Sequence, residues 1–330
     1  MNAVNVATFW IQLTIVATDA KRTMQCQQLA RRVLGKTLAF TPVMELRQLA
    51  NVLYSMGKLR LELSKEQLGP HLTEHIESRL GELLDRKGFG NELDLTQLWY
   101  GLALCKFQWD SELLTRLVAG TIGEMEAWES MTGAGDTLAN MAQLAESITL
   151  TDQQKQDLVG VIGALTDRVD LERRDFHALS GTVWATRSLQ LAVPKPQLRR
   201  QVNLLLAAPR PLSVRRSLVS RFLENCSKLG AKPETPAEAQ DWFELLKDAG
   251  PAEWKVEEIR WGLGTLATID KFSPSPEVKQ MVLDAAASKG VRSAADAGVL
   301  LQLSEAWGIA LPAEVCARLV RMRGSGGPKP

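Results

Sequence analysis

The sequence is poor in the residues that carry most bond-making chemistry. Its 330 residues include 3 His, 4 Cys and 2 Tyr, and aromatics make up 6%. The cysteines, Cys26, Cys105, Cys226 and Cys316, are widely separated and form no CxxC pair, so neither a zinc site nor a disulfide framework is indicated. Each stands in an apolar helical context and reads as a small core residue in a reducing compartment. His177 has no Ser–His–Asp or Cys–His arrangement to anchor, which leaves nucleophilic catalysis without support. No run of 18 apolar residues exists, so no membrane-spanning helix is expected. The apolar stretch MNAVNVATFWIQLTIVATD lacks the basic residues that open a secretory signal, and the first cations are Lys21 and Arg22. If the chain is imported into an organelle, its presequence is atypical or missing from this sequence.

What is present is apolar periodicity. Hydrophobic residues make up 45% and charged residues 23%, ample for a sizeable core. Pro and Gly fall between the apolar periods, a balance that favours helices. Leu49–Leu61, LANVLYSMGKLRL, overlays Leu179–Leu191, LSGTVWATRSLQL. Leu49, Leu59 and Leu61 meet Leu179, Leu189 and Leu191, Leu53 meets Val183, and Tyr54 meets Trp184. The residues closing such helices are Val16, Leu59, Phe107, Ile148, Leu189, Leu229, Ile269 and Trp307, at spacings of 43, 48, 41, 41, 40, 40 and 38. Each is followed by a turn and a second amphipathic segment, most of them opened by Ser, Thr, Asp or Pro, which suit N-caps and first helical turns. The sixth unit, with Pro233–Pro236 ahead of AQDWFELLKDAG, is expected to have a shorter second helix, and Gly88–Glu92 to form a surface loop. Tyr54, Trp99, Trp184 and Trp261 fall on first helices and read as core packing.

A two-helix unit of this size cannot bury its own apolar face, whereas stacked units share one core. The expected fold is therefore all-α: an α-solenoid of about eight helix-turn-helix repeats of roughly 40 residues. It forms one domain over residues 1–323, with a flexible tail at 324–330.

Three groups of residues carry a resemblance to the octotricopeptide repeat. They are Leu49-Ala50-Asn51 with Lys58-Leu59, Leu138-Ala139-Asn140, and Lys228-Leu229-Gly230. That family opens each unit on a Leu-Ala-Asn-x-Leu-Trp-like helix, and the resemblance runs unevenly over most of the chain. It implies RNA binding inside an organelle, the mitochondrion or alternatively the chloroplast. The implied role is a non-catalytic scaffold that clamps ribosomal RNA as a mitochondrial ribosome component, or binds organellar messenger RNA, beside other proteins of a ribonucleoprotein assembly. The alternative is a protein-interaction scaffold of the HEAT type without RNA.

Charge distribution points toward a polyanion on separate grounds. The net charge is +1, so the chain as a whole is no basic glue. Yet residues 195–232 hold Lys195, Arg199, Arg200, Arg210, Arg215, Arg216, Arg221, Lys228 and Lys232 against the single acid Glu224. That local +8 leaves −7 on the other 292 residues. Such asymmetry suits phosphate contact at one place; a solvated basic face and an acidic protein or lipid partner are the competing readings. Arg318, Arg321 and Arg323, with no acid after Glu314, make a second, weaker patch. These twelve cations are the expected RNA contacts, joined by polar or stacking contacts along the inner face. Arg173 and Arg174 lie among Asp170, Glu172 and Asp175, where ion pairs explain them as well as RNA does. Lys58, Lys106 and Lys228 close or follow first helices, where a cation suits the helix dipole.

Two motifs are set aside. His71-Leu72-Thr73-Glu74-His75 matches the H-x-x-E-H zinc-peptidase spacing, but it falls at the start of a second repeat helix with no third ligand or cleft. Ala30–Thr37, ARRVLGKT, matches a loose P-loop, which needs a buried strand and glycines aimed at phosphate; here the lead-in is polar and helical and Gly35 stands alone. No cofactor and no metal are expected.

Overall fold

The structure, a computed structural model, describes residues 2–86, 89–105, 107–128, 131–169, 175–208, 214–249, 254–269 and 272–324. Among these residues there are sixteen helices and no strand. They are α1 (Ala3–Val16), α2 (Ala20–Phe40), α3 (Leu46–Lys58), α4 (Gly69–Leu84), α5 (Glu92–Leu104), α6 (Ser111–Met125), α7 (Met131–Gln143) and α8 (Asp152–Arg168). There follow α9 (Phe176–Ser188), α10 (Lys195–Leu206), α11 (Arg216–Lys228) and α12 (Pro236–Asp248). Helix α13 runs through Val256–Glu258, a π turn at Ile259–Leu263, and Gly264–Leu266. The last three are α14 (Pro276–Ala287), α15 (Ala294–Ala306) and α16 (Ala313–Gly324).

Local chemistry sets where these helices begin. The side chains of Asn91, Asp110, Thr151, Thr235 and Ser293 accept the backbone N–H three residues ahead, satisfying donors that a helix start leaves open. Pro70, Pro196, Pro236 and Pro276 occupy the first turns of α4, α10, α12 and α14, where the missing N–H costs nothing.

Four odd-numbered helices end in one way. Arg60, Gln190, Gly230 and Gly308 each take a positive φ two residues beyond the last helical residue. The next N–H then reaches back into the helix: Leu61 to the Met56 carbonyl, Leu191 to Thr186, Ala231 to Cys226 and Ile309 to Ser304. This is the Schellman arrangement, and it recurs where the repeat spacing places the turns.

The helices fall into two compact units, a division that the repeat spacing does not mark: Met1–Val169 with His177–Ala192, and Asp170–Phe176 with Val193–Pro330. In the first, odd helices stack on odd ones (α1 on α3, α3 on α5, α5 on α7) and even on even (α2 on α4, α4 on α6, α6 on α8). In the second, α11 stacks on α13 and α13 on α15, while α10 packs on α12 and α14 on α16. The odd layer of the first unit is packed to backbone contact. A Cβ on Gly101 would lie 2.4 Å from the Leu53 carbonyl carbon, and one on Gly135 would lie 2.3 Å from the Ala178 Cα. Indole N–H groups tie odd to even helices: Trp10 donates to Thr37 Oγ1 at 2.9 Å and Trp99 to Thr121 Oγ1 at 3.0 Å.

Some expectations change. Helix α12, with 13 residues, is shorter than the even helices of the first unit, which run from 15 to 21, but no shorter than α10, α14 and α16, which have 12 each. Phe89 is buried rather than part of a solvent loop, because it packs toward Gly120 of α6. Among the aromatics, Trp99 is fully buried, but Tyr54, Trp184 and Trp261 are only half-buried and do not belong wholly to the core. Cys26, Cys105 and Cys226 are core residues, and Cys316 is half-buried. The P-loop-like segment lies inside α2, without the turn that would cradle phosphate.

Candidate nucleic-acid interface

The cations of 195–232 do not form one surface; the helices distribute them among three environments. On α10, Lys195 Nζ donates to Glu234 Oε1 at 2.7 Å. Arg199 pairs with Glu234 at 2.8 Å and Glu238 at 3.5 Å, and it donates to the Lys232 carbonyl. The Lys195 hydrogen bond, then Arg199, hold the Glu234 carboxyl below its ordinary value. Arg200 is exposed and has a partner within the chain. These pairs explain why counting charge over 195–232 overstates the patch: Glu234 and Glu238 lie just beyond the window and fold back onto it.

Arg216 is the second case. It is 1% exposed. Its Nε donates to the Leu246 carbonyl at 2.8 Å and Nη2 to the Lys247 carbonyl at 3.3 Å, and Nη1 lies 3.6 Å from Glu258. The guanidinium also sits 4.2 Å from the Trp254 ring centre. Burial pulls its pKa down from the usual arginine value, and Glu258 opposes that shift. A fork spent on internal carbonyls cannot meet a phosphate, so Arg216 is a clamp for the end of α12.

Arg215 and Arg221 are the third case. Arg215 is exposed at the N-cap of α11, where its charge opposes the helix dipole. Arg221 is exposed on α11 with its Cζ 5.0 Å from the Trp261 ring centre on α13. Among the described residues no carboxylate pairs with Arg215, Arg221 or Lys232. Lys228 is paired with Glu224 at 2.5 Å, one helical turn back. Arg210 lies outside the described residues.

In the weaker patch, Arg318 donates to the carbonyls of Ala286 and Ser288, tying α16 to the end of α14. Arg321 and Arg323 are exposed on the last turn of α16. Arg173 and Arg174, with Lys106, lie outside the described residues.

Sequence reasoning missed a recurring surface on the odd helices. Trp261 carries a second cation, Arg260, at 5.0 Å, itself bonded to Asp296 at 2.9 Å. In the first unit Lys58 lies 5.5 Å from the Tyr54 ring and 5.2 Å from the Tyr100 ring, and the two rings are 5.0 Å apart. The available signals were small: Tyr54 and Lys58 are one helical turn apart, and Arg260 precedes Trp261.

His71 and His75 are exposed on α4, and among the described residues no group of three His, Cys, Asp or Glu side chains could hold a metal. No described helix is long and apolar enough to cross a membrane. No family model matches this chain, and no curated protein matches it.

Proposed function

We propose that the chain is a non-catalytic RNA-binding scaffold, built as an α-solenoid of eight helical hairpins of the octotricopeptide kind. The observation that carries this reading is that each of the two compact units has one place on its odd helices where cations lie over half-buried aromatic rings, Lys58 on Tyr54 and Tyr100 in the first and Arg221 and Arg260 on Trp261 in the second. Single-stranded RNA asks for that combination: cations for phosphates and ring faces for bases. The phosphate contacts in this reading are Arg215, Arg221 and Lys232, with Arg321 and Arg323 as a second group. Lys195, Arg199, Arg200 and Lys228 contribute less, because phosphate must displace internal partners first. Arg216 and Arg318 hold the fold.

A mitochondrial location, with the chloroplast as the alternative, is what the resemblance implies for such a scaffold. Its RNA is ribosomal or messenger, and it works beside other proteins of a ribonucleoprotein. Crosslinking in cells, purification and sequencing of the bound RNA tests this. Enrichment of one organellar RNA supports the reading, and a purified chain free of RNA contradicts it.

One observation favours protein contacts as well. Val4, Ile15, Val16, Met24, Leu29 and Val43 are exposed apolar side chains in and just after α1 and α2. A HEAT-like scaffold without RNA predicts partners that stay bound after ribonuclease treatment and in high salt.

A further inference from the structure

The second unit contains a groove of about 730 Å³, the size range of small-ligand sites. It is lined by Trp254 and Trp261, with Lys255, Arg260 and Arg292 and the acids Glu257 and Asp296 around them. Neither indole is fully buried. Trp254 is braced from within the fold: its ring stacks on Phe243 at 6.2 Å with 13° between planes, and Arg216 lies against it at 4.2 Å. Trp261 is set on the π turn of α13, which shifts the register of that helix by one residue. Arg260 is fixed by its bond to Asp296, whose other oxygen accepts the Ser293 N–H at 3.1 Å and so belongs to the cap of α15.

We infer that this groove is a nucleotide subsite, holding one base of a single-stranded RNA against Trp261 and Trp254 with its phosphates on Lys255 and Arg292. The inference rests on the RNA-binding reading and names the place where a base, rather than the backbone, is held. Arg221 lies on the Trp261 ring without a carboxylate partner among the described residues. Arg292 and Lys255 are exposed at the groove and supply further cations. Stacking on indole accepts any base, so the subsite gives affinity for single strands with little sequence preference.

The full-length chain is titrated with a short oligouridylate and with an abasic oligonucleotide of equal length. Trp261→Ala is expected to weaken oligouridylate binding about ten-fold while leaving the abasic strand unchanged, and Trp261→Phe to retain most of the affinity. Arg292→Ala, a surface change that spares the fold, is expected to weaken both strands and to lower the salt slope by about 0.7. Trp261→Ala and Arg292→Ala that both bind oligouridylate like the unmodified chain overturn the subsite alone. Equal loss on both strands in a folded Trp261→Ala protein also overturns it. Failure of the unmodified chain to bind either strand overturns the RNA reading together with the subsite.

Discussion

Arg216 and Arg221 lie on one helix and are put to opposite uses. Arg216 shares a face of α11 with Val219, Ser220 and Leu223, all buried, whereas Arg221 is turned to solvent. Helical spacing carries that distinction in the sequence, but a charge count over a window discards it. Removing Arg216 leaves the nearly buried Glu258 without its cation and takes a donor from the Leu246 and Lys247 carbonyls. Arg216→Ala is expected to cost about 3–5 kcal/mol in chemical denaturation, whereas Arg221→Ala is expected to leave stability within about 0.5 kcal/mol. The cysteines give a second check. Burial pushes the Cys105 thiol up to about 12 and raises Cys226 as well. The folded state therefore favours the neutral thiol. That contribution is present below the ordinary thiol range and is lost as pH rises through about 12. At pH near 8, a thiol reagent is expected to label Cys316 in the native chain and to reach Cys26, Cys105 and Cys226 only after denaturant is added; rapid native labelling of Cys105 contradicts the packing.

Helix boundaries were legible where side chains cap them. Asp110, Thr151 and the first-turn prolines are signals whose chemistry is local, so the sequence sufficed. The π turn of α13 was not legible, because nothing in IRWGL distinguishes it from an α turn until the helix packs. The repeated helix ends also became visible only through backbone geometry. Arg60 and Gln190 occupy left-handed positions that Gly230 and Gly308 occupy elsewhere. L-residues are strained there by about 1 kcal/mol. Arg60→Gly and Gln190→Gly are expected to raise the thermal midpoint, and Gly230→Ala to lower it, each by an amount corresponding to about 1 kcal/mol. A Gly230→Ala protein as stable as its parent contradicts a functional Schellman turn at that point.

Across the chain, the period near 40 identified helical pairs because each pair repeats the same burial problem, and alternate helices stack on one another within each unit. The division into two units was not readable from that period, which continues through residues 170–192. The candidate interface was legible as an excess of cations and illegible in its membership. Neutralisation by Glu234 and Glu238 and burial of Arg216 depend on folding, while Tyr100 beside Lys58 and Trp261 beside Arg221 lie on neighbouring helices. In the proposed reading, a few exposed cations beside aromatic rings would bind RNA electrostatically. The most direct test is a filter-binding titration with single-stranded RNA at about 50 mM and about 200 mM salt, using the unmodified chain and an Arg215→Glu/Arg221→Glu variant. The account predicts affinity that falls steeply with salt, and a variant that binds at least about ten-fold more weakly with a salt slope lowered by about 0.7 for each lost phosphate contact. Affinity that is indifferent to salt, or a variant that binds like its parent, would contradict it.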